Sequence, residues 1–156
     1  MKKTAILVAV FIIALIVAGY VRADDGARIG LGKSIINSDL KTAEIGYEWN
    51  SWEASATLSE AGKTKNDVQD QVETYSISYL TRIAAAPVWV TPFLRLGVSY
   101  NSGSNLVGPT NFRLGVGVDF SDVWRVEYVH HSSAGIHRPN TGIDYVMLTY
   151  KMPAPW

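Results

Sequence analysis

The residues best suited to chemistry lie together near the carboxyl end of the chain. All three histidines, His130, His131 and His137, fall between positions 130 and 137, and Ser132 stands two residues after His130. Side chains two apart on a β-strand project from the same face, so His130 and Ser132 would emerge side by side. A serine hydrolase pairs an imidazole and a hydroxyl in this way, with histidine as general base and serine as nucleophile.

An acid further along the chain can complete this pair. Asp144 lies on the next predicted strand, in phase with Val146 and Leu148 on that strand's apolar face. If the two strands form a hairpin, a base, a hydroxyl and an acid meet on one outer face near a rim of the sheet. The same residue types are also common at the solvated end of any hairpin, and periodicity alone leaves both interpretations open.

Other chemistries fit this segment less well. Adjacent strand residues point to opposite faces, so His130 and His131 are poorly placed to share a metal ion. The chain contains no cysteine, which excludes thiolate zinc sites and cysteine nucleophiles. Its 14 Lys and Arg balance its 14 Asp and Glu, so we do not expect the basic surface of a nucleic-acid-binding protein.

The start of the chain has the pattern of a secretory signal peptide. A basic Met1-Lys2-Lys3 precedes an apolar run over residues 5–20, and Val21-Arg22-Ala23 provides small residues at the first and third places before a cut. The 16-residue run would extend only about 24 Å at ~1.5 Å per residue, less than a hydrocarbon core of ~30 Å. We therefore expect residues 1–23 to be a cleaved signal peptide and residues 24–156 to form one barrel domain.

The mature domain has the pattern of an all-β protein. From residue 24 onward, polar and apolar residues alternate with period two between turn-rich breaks, and no stretch has the spacing of an amphipathic helix. The pattern predicts eight strands, centred on residues 28–36, 40–49, 51–60, 71–81, 88–100, 110–120, 122–133 and 143–152.

The predicted strands have one bulky apolar face and one polar face. In the sixth strand, Leu114, Val116 and Val118 share a face, whereas Arg113 and Asp119 lie on the other. The polar faces together hold five charges of each sign, which could neutralise one another in a narrow lumen. They are Arg28, Arg95, Arg113, Arg125 and Lys151 against Glu44, Glu48, Glu53, Asp119 and Glu127.

The apolar faces must then point outward, and their combined surface exceeds what a soluble monomer exposes. We therefore predict an eight-stranded antiparallel transmembrane β-barrel whose apolar faces contact lipid. With both termini in the periplasm, the seventh strand runs outward. It would deliver His130 and Ser132 to the extracellular rim, among lipids of the outer leaflet.

The predicted last hairpin resembles that of a known family, the outer-membrane lipid A 3-O-deacylases called PagL. Members have a histidine, any residue and a serine on the penultimate strand, an Ala-Gly-like turn, and a Pro-Asn-x-Gly-x-acid element opening the last strand. The corresponding residues here are His130-His131-Ser132, Ala134-Gly135 and Pro139-Asn140-Thr141-Gly142-Ile143-Asp144. This chain departs from the family in having Ser133 where asparagine is usual and Asp144 where glutamate is usual.

The resemblance implies an esterase that removes an ester-linked 3-O-acyl chain from lipid A of lipopolysaccharide in the bacterial outer membrane. Ser132 would be the nucleophile, His130 the base and Asp144 the orienting acid, with backbone N–H groups of Ser133 and Gly135 binding the oxyanion. It implies no metal or organic cofactor, and its partners would be lipopolysaccharide and outer-membrane lipids. Whether two copies form a homodimer stays open.

Two other classes of protein also fit the barrel pattern. One is a non-catalytic barrel of the OmpX or OmpA type, serving adhesion or envelope integrity, and the other is an outer-membrane phospholipase or palmitoyltransferase. An adhesion barrel should carry long extracellular loops, whereas the last outer loop here is short and carries the His-x-Ser element. This favours an enzyme. His131 and Arg138 are expected to be exposed loop residues. Such residues usually have no specific role, although these two could contact phosphates or sugars of a lipid headgroup.

Overall fold

The computed structural model describes residues 25–83, 90–120 and 123–152, and the ten elements it contains there are all β-strands. The predicted signal peptide, residues 1–23, lies outside the described residues. The described residues contain no helix that could span a membrane. The strands are β1 Gly26–Ser34, β2 Lys41–Trp49, β3 Trp52–Ser59, β4 Gly62–Lys63, β5 Val68–Gln69, β6 Val72–Arg82, β7 Val90–Asn101, β8 Thr110–Phe120, β9 Trp124–Ser132 and β10 Ile143–Lys151.

Eight of these strands close into an antiparallel barrel in the order β1-β10-β9-β8-β7-β6-β3-β2. The predicted all-β, eight-stranded barrel is therefore confirmed. Closure pairs every strand on both sides and leaves no unpaired sheet edge. The remaining two strands, β4 and β5, form a separate ribbon inside a stretch predicted to be a polar break. Two residues per strand are too few to produce a detectable alternation.

The barrel wall is apolar outside and charged inside. Leu96 on the outer face is 63% exposed, whereas Arg113 on the inner face is fully buried. Strand residues alternate between the two faces, so this distribution follows directly from the period-two pattern in the sequence. It is the reverse of a soluble barrel, where the apolar face fills the interior.

Ion pairs between strands fill the interior. Glu53 accepts hydrogen bonds from Arg95 and, at 3.1 Å, from Arg125, and Arg113 pairs with Glu44 at 2.9 Å. Arg82 joins the network through Asp119, at 3.1 Å. Arg82 is absent from the predicted inner charges because the predicted strand ends at residue 81, whereas β6 continues to residue 82. A buried charge is tolerated when it is paired in this way.

The four loops at the end of the barrel where β9 terminates form a cap, made of residues 35–40, 60–71, 102–109 and 133–142. Asn66 Nδ2 donates to Asn105 O at 2.7 Å and to Thr141 Oγ1 at 3.1 Å. Thr141 N donates to Leu106 O at 2.7 Å. Asn37 Nδ2 donates to the carbonyls of Thr141 and Gly142, at 2.8 and 3.0 Å. The loop between β9 and β10 is therefore fixed to the three other loops.

Candidate active site

The pairing of β9 with β10 brings the predicted base and acid together. His130 lies directly opposite Asp144 in the antiparallel register, a relation that brings Cβ atoms to within about 4.5–5.5 Å. On the other side of β9, the β8 residue Leu114 lies opposite His130 and Phe112 lies opposite Ser132. All of these side chains belong to the outer face of the barrel.

The histidine and the acid are joined by a hydrogen bond. His130 Nδ1 lies 2.7 Å from Asp144 Oδ1. Asp144 is only 5% exposed, although it belongs to the outer face. The Tyr128 hydroxyl also donates to Asp144 Oδ1, so this buried carboxylate oxygen has two partners. Because Nδ1 faces the acid, Nε2 is the nitrogen left to act on another group, as in a Ser-His-Asp triad.

Ser132 lies on the same face but its hydroxyl is engaged elsewhere. Ser132 Oγ donates to Asn140 Oδ1 at 3.1 Å and accepts from Ala134 N at 3.2 Å. Among the described residues no hydrogen bond joins Ser132 to His130. The structure therefore brings the three predicted residues to one patch of the outer wall, and joins two of them.

Asn140 organises the turn that follows the serine. Besides Ser132 Oγ, its Oδ1 atom accepts from Ser133 N at 2.9 Å and from Ser133 Oγ at 3.0 Å. Ala134 and Gly135 then have positive φ angles of 49° and 82°, which turn the chain sharply. Asn140 is not among the residues predicted from the sequence to form the site. Its place in the Pro-Asn-x-Gly-x-acid element is the signal that could have identified it.

The two predicted oxyanion donors differ in whether their N–H groups are already hydrogen-bonded. The N–H of Ser133 donates to Asn140 Oδ1, and the buried Ser133 hydroxyl donates to His137 O at 3.1 Å. The N–H of Gly135, by contrast, has no acceptor within the part of the chain that is described, and Gly135 is exposed. Of these two predicted donors, the Gly135 N–H can bind a ligand without breaking a contact seen in the described residues.

Gly142 lies against the imidazole. Its φ is +87°, a backbone conformation that L side chains rarely adopt, and a Cβ atom there would lie 2.9 Å from His130 Cε1. The site therefore needs glycine at this position for two reasons, the turn and the close approach of the ring.

His131 points into the barrel, so the expectation that it is exposed near a headgroup is wrong. It is buried, with Nδ1 2.8 Å from Ser99 Oγ and Nε2 3.0 Å from Tyr145 OH. The reason is the alternation along β9, which sends His130 outward and its neighbour inward. Arg138 is exposed in the loop. In residues 25–83, 90–120 and 123–152, no three His, Cys, Asp or Glu side chains are grouped so as to hold a metal ion.

Comparison with known proteins shows which family this chain resembles. Residues 40–153 match the family model of lipid A 3-O-deacylase (PagL), whereas no curated protein matches significantly. The crystal structure of the outer membrane enzyme PagL resembles this barrel with a TM-score of 0.58 and 24% sequence identity, over 83% of this chain and 99% of that chain. At that identity the structural match concerns the fold. The family match, however, covers well over half of the chain and includes every residue from His130 to Asp144, so this chain belongs to the lipid A 3-O-deacylase (PagL) family.

Proposed function

We propose that this protein is an outer-membrane hydrolase that removes the 3-O-linked acyl chain of lipid A. Ser132 is the nucleophile, His130 the general base and Asp144 the acid that orients the imidazole. The observation that carries the proposal is the 2.7 Å contact between His130 Nδ1 and Asp144 Oδ1 on the outer wall, next to Ser132. Membership in a family of lipid A 3-O-deacylases supports the same substrate.

The surroundings of the site suit a substrate whose acyl chains lie in a membrane. Phe112 and Leu114, the residues of β8 opposite Ser132 and His130, are exposed on the outer wall. In lipid, an acyl chain of the substrate can lie along these two side chains while its ester group reaches Ser132. With the first strand starting in the periplasm, β9 runs outward and the site meets the outer leaflet. Export through a signal peptide at residues 1–23 agrees with that location.

The proposed reaction follows the logic of a serine esterase. The Ser132 hydroxyl turns from Asn140 to His130 Nε2, loses its proton to that nitrogen, and attacks the acyl carbonyl. The free Gly135 N–H binds the developing oxyanion, and Ser133 N–H contributes only if it leaves Asn140. The ester C–O bond then breaks, His130 protonates the departing sugar oxygen to give a hydroxyl, and the acyl group stays on Ser132, while Asp144 stabilises the transient imidazolium. Water, activated by His130, releases the fatty acid from Ser132.

Mass spectrometry of lipid A tests this function directly. The purified protein, Ser132→Ala and the control Ser59→Ala are each incubated with lipopolysaccharide in detergent. Ser59 lies at the end of β3, four strands from β9 in either direction around the barrel. We expect the parent and Ser59→Ala to remove one hydroxyacyl chain and Ser132→Ala to remove none.

Each other result contradicts part of the proposal. Unchanged lipid A with the folded parent would contradict the enzymatic function and favour a non-catalytic barrel. Cleavage that persists in Ser132→Ala would contradict the role of the serine. Release of fatty acid from added phospholipid, with lipid A intact, would identify the protein as a phospholipase.

A further inference from the structure

Asp144 accepts one more hydrogen bond than a Ser-His-acid triad requires. The Tyr128 hydroxyl donates to Asp144 Oδ1, the same oxygen that contacts His130 Nδ1. Tyr128 precedes His130 by two residues on β9 and lies opposite Val146 of β10. It is therefore a diagonal neighbour of Asp144 on the outer face, and its ring reaches the carboxylate from the side that leads toward the middle of the barrel.

The position of Asp144 makes this second donor important. A carboxylate that is 5% exposed has lost most of its hydration, and its charged form must be stabilised by hydrogen bonds. The residues that face Tyr128 from the neighbouring strands are Val116 and Val146, neither of which can donate. Tyr128 is thus a neutral donor in an apolar stretch of wall that fixes the acid without adding charge.

Two donors also determine the orientation of the carboxylate. With His130 as its only partner, Asp144 could rotate about its side-chain torsions and carry the imidazole with it. A second hydrogen bond to the same oxygen removes that freedom, and Nε2 of His130 is then held in a constant direction. A fixed base is worth a large factor in rate because small displacements from the reacting geometry are costly.

We propose that Tyr128 is a positioning residue of this active site, which acts through Asp144 to hold the His130 imidazole in its catalytic orientation. The inference rests on the proposed hydrolase function and extends it to a residue outside the Ser-His-acid set.

Kinetics on lipopolysaccharide in detergent test the role of Tyr128. Tyr128→Phe keeps the ring and removes only the hydroxyl, so we expect kcat to fall by roughly 10- to 100-fold, as for the loss of a hydrogen bond to a charged group. KM should stay within about twofold, because the change removes no group that binds substrate. The control is Tyr100→Phe, an exposed tyrosine of the outer face of β7, which should keep the parental kcat.

A double-mutant cycle distinguishes positioning from a general structural effect. If Tyr128 acts through Asp144, Tyr128→Phe should cause no further loss of activity in an Asp144→Ala background, where the acceptor is absent. An equal loss in both backgrounds would overturn the inference, and so would parental kcat in Tyr128→Phe. A folded parent that leaves lipid A intact would instead overturn the proposed function, and this role with it. Heat-dependent mobility on gels confirms that each variant forms the barrel.

Discussion

Replacing Gly142 by alanine should slow the enzyme while leaving the barrel folded. Gly142 has a φ of +87°, and an added Cβ would approach His130 Cε1 to 2.9 Å. Ordinary van der Waals contacts begin at 3.4 Å, so the imidazole or the loop has to move by about 0.5 Å, the difference between these two distances. His130 cannot move freely, because its Nδ1 is bound to Asp144.

Two costs follow from this geometry. An alanine with a left-handed backbone conformation costs about 1–2 kcal/mol of folding stability. We expect the barrel to stay folded despite this loss. The displacement of the ring acts on catalysis instead. A shift of about 1 Å in a catalytic group can reduce the rate by about 100-fold, so we expect roughly a 10-fold loss of kcat for a shift of half that size.

Gly103 provides a matched control. Its φ is +88°, and nothing lies within 4 Å of where its Cβ would be. Gly103→Ala therefore carries the same backbone cost without touching the imidazole. Deacylation of lipopolysaccharide is measured for both variants, together with their unfolding midpoints in detergent.

The comparison can refute the reasoning in two ways. Full activity in Gly142→Ala would show that the imidazole does not need its present position. Equal losses of activity in Gly142→Ala and Gly103→Ala would show that backbone strain, and not contact with His130, is responsible.

Three further changes test the barrel and its cap. Glu53→Gln removes one of the carboxylates that pair with the buried Arg95 and Arg125. The network then has one carboxylate fewer for the same arginines, and the unfolding free energy should fall by about 3–5 kcal/mol. The exposed Glu60→Gln should lower it by less than about 1 kcal/mol, and similar urea midpoints would contradict the network's role. Asn37→Ala removes two hydrogen bonds to the loop that precedes Asp144. It should cost about 1–2 kcal/mol and reduce deacylation, and unchanged activity would show that the loop holds its shape alone. Leu96→Arg puts a charge on the outer wall and should cost about 2–4 kcal/mol in a bilayer. Ile36→Arg, equally exposed but in the cap, should cost little, and equal stability of the two in liposomes would argue against lipid on this wall.

Much of the barrel was predictable because its determinants are local. Alternation sorts Leu114 outward and Arg113 inward without any knowledge of the partner strands. The same rule separates His130 from His131, which makes a shared metal site unfavourable and brings His130 and Ser132 to one face. The hairpin between β9 and β10 is short, so the meeting of His130 with Asp144 also follows from neighbouring stretches of chain.

Contacts between distant strands were not predictable in this way. The lumen joins residues as far apart in sequence as Arg125 and Glu48, separated by 77 positions. Such pairs depend on the register and stagger of a closed barrel, which period-two patterns leave undetermined. The inclusion of Arg82 in the network and the attachment of Asn37 to the last loop are of the same kind.

The residue types and their alternation thus determined which side chains lie on each face, and hence which of them could serve as base, nucleophile and acid. Closure of the barrel and packing of the cap decided the distant partners, such as Glu48 for Arg125 and the last loop for Asn37. The folded geometry of the β9–β10 hairpin decided the bonds from Tyr128 to the acid and from Ser132 to Asn140. The physical reason is that the direction of a side chain along a strand is fixed by backbone geometry, whereas the orientation of its polar end is fixed by whichever donors and acceptors the tertiary fold brings within reach.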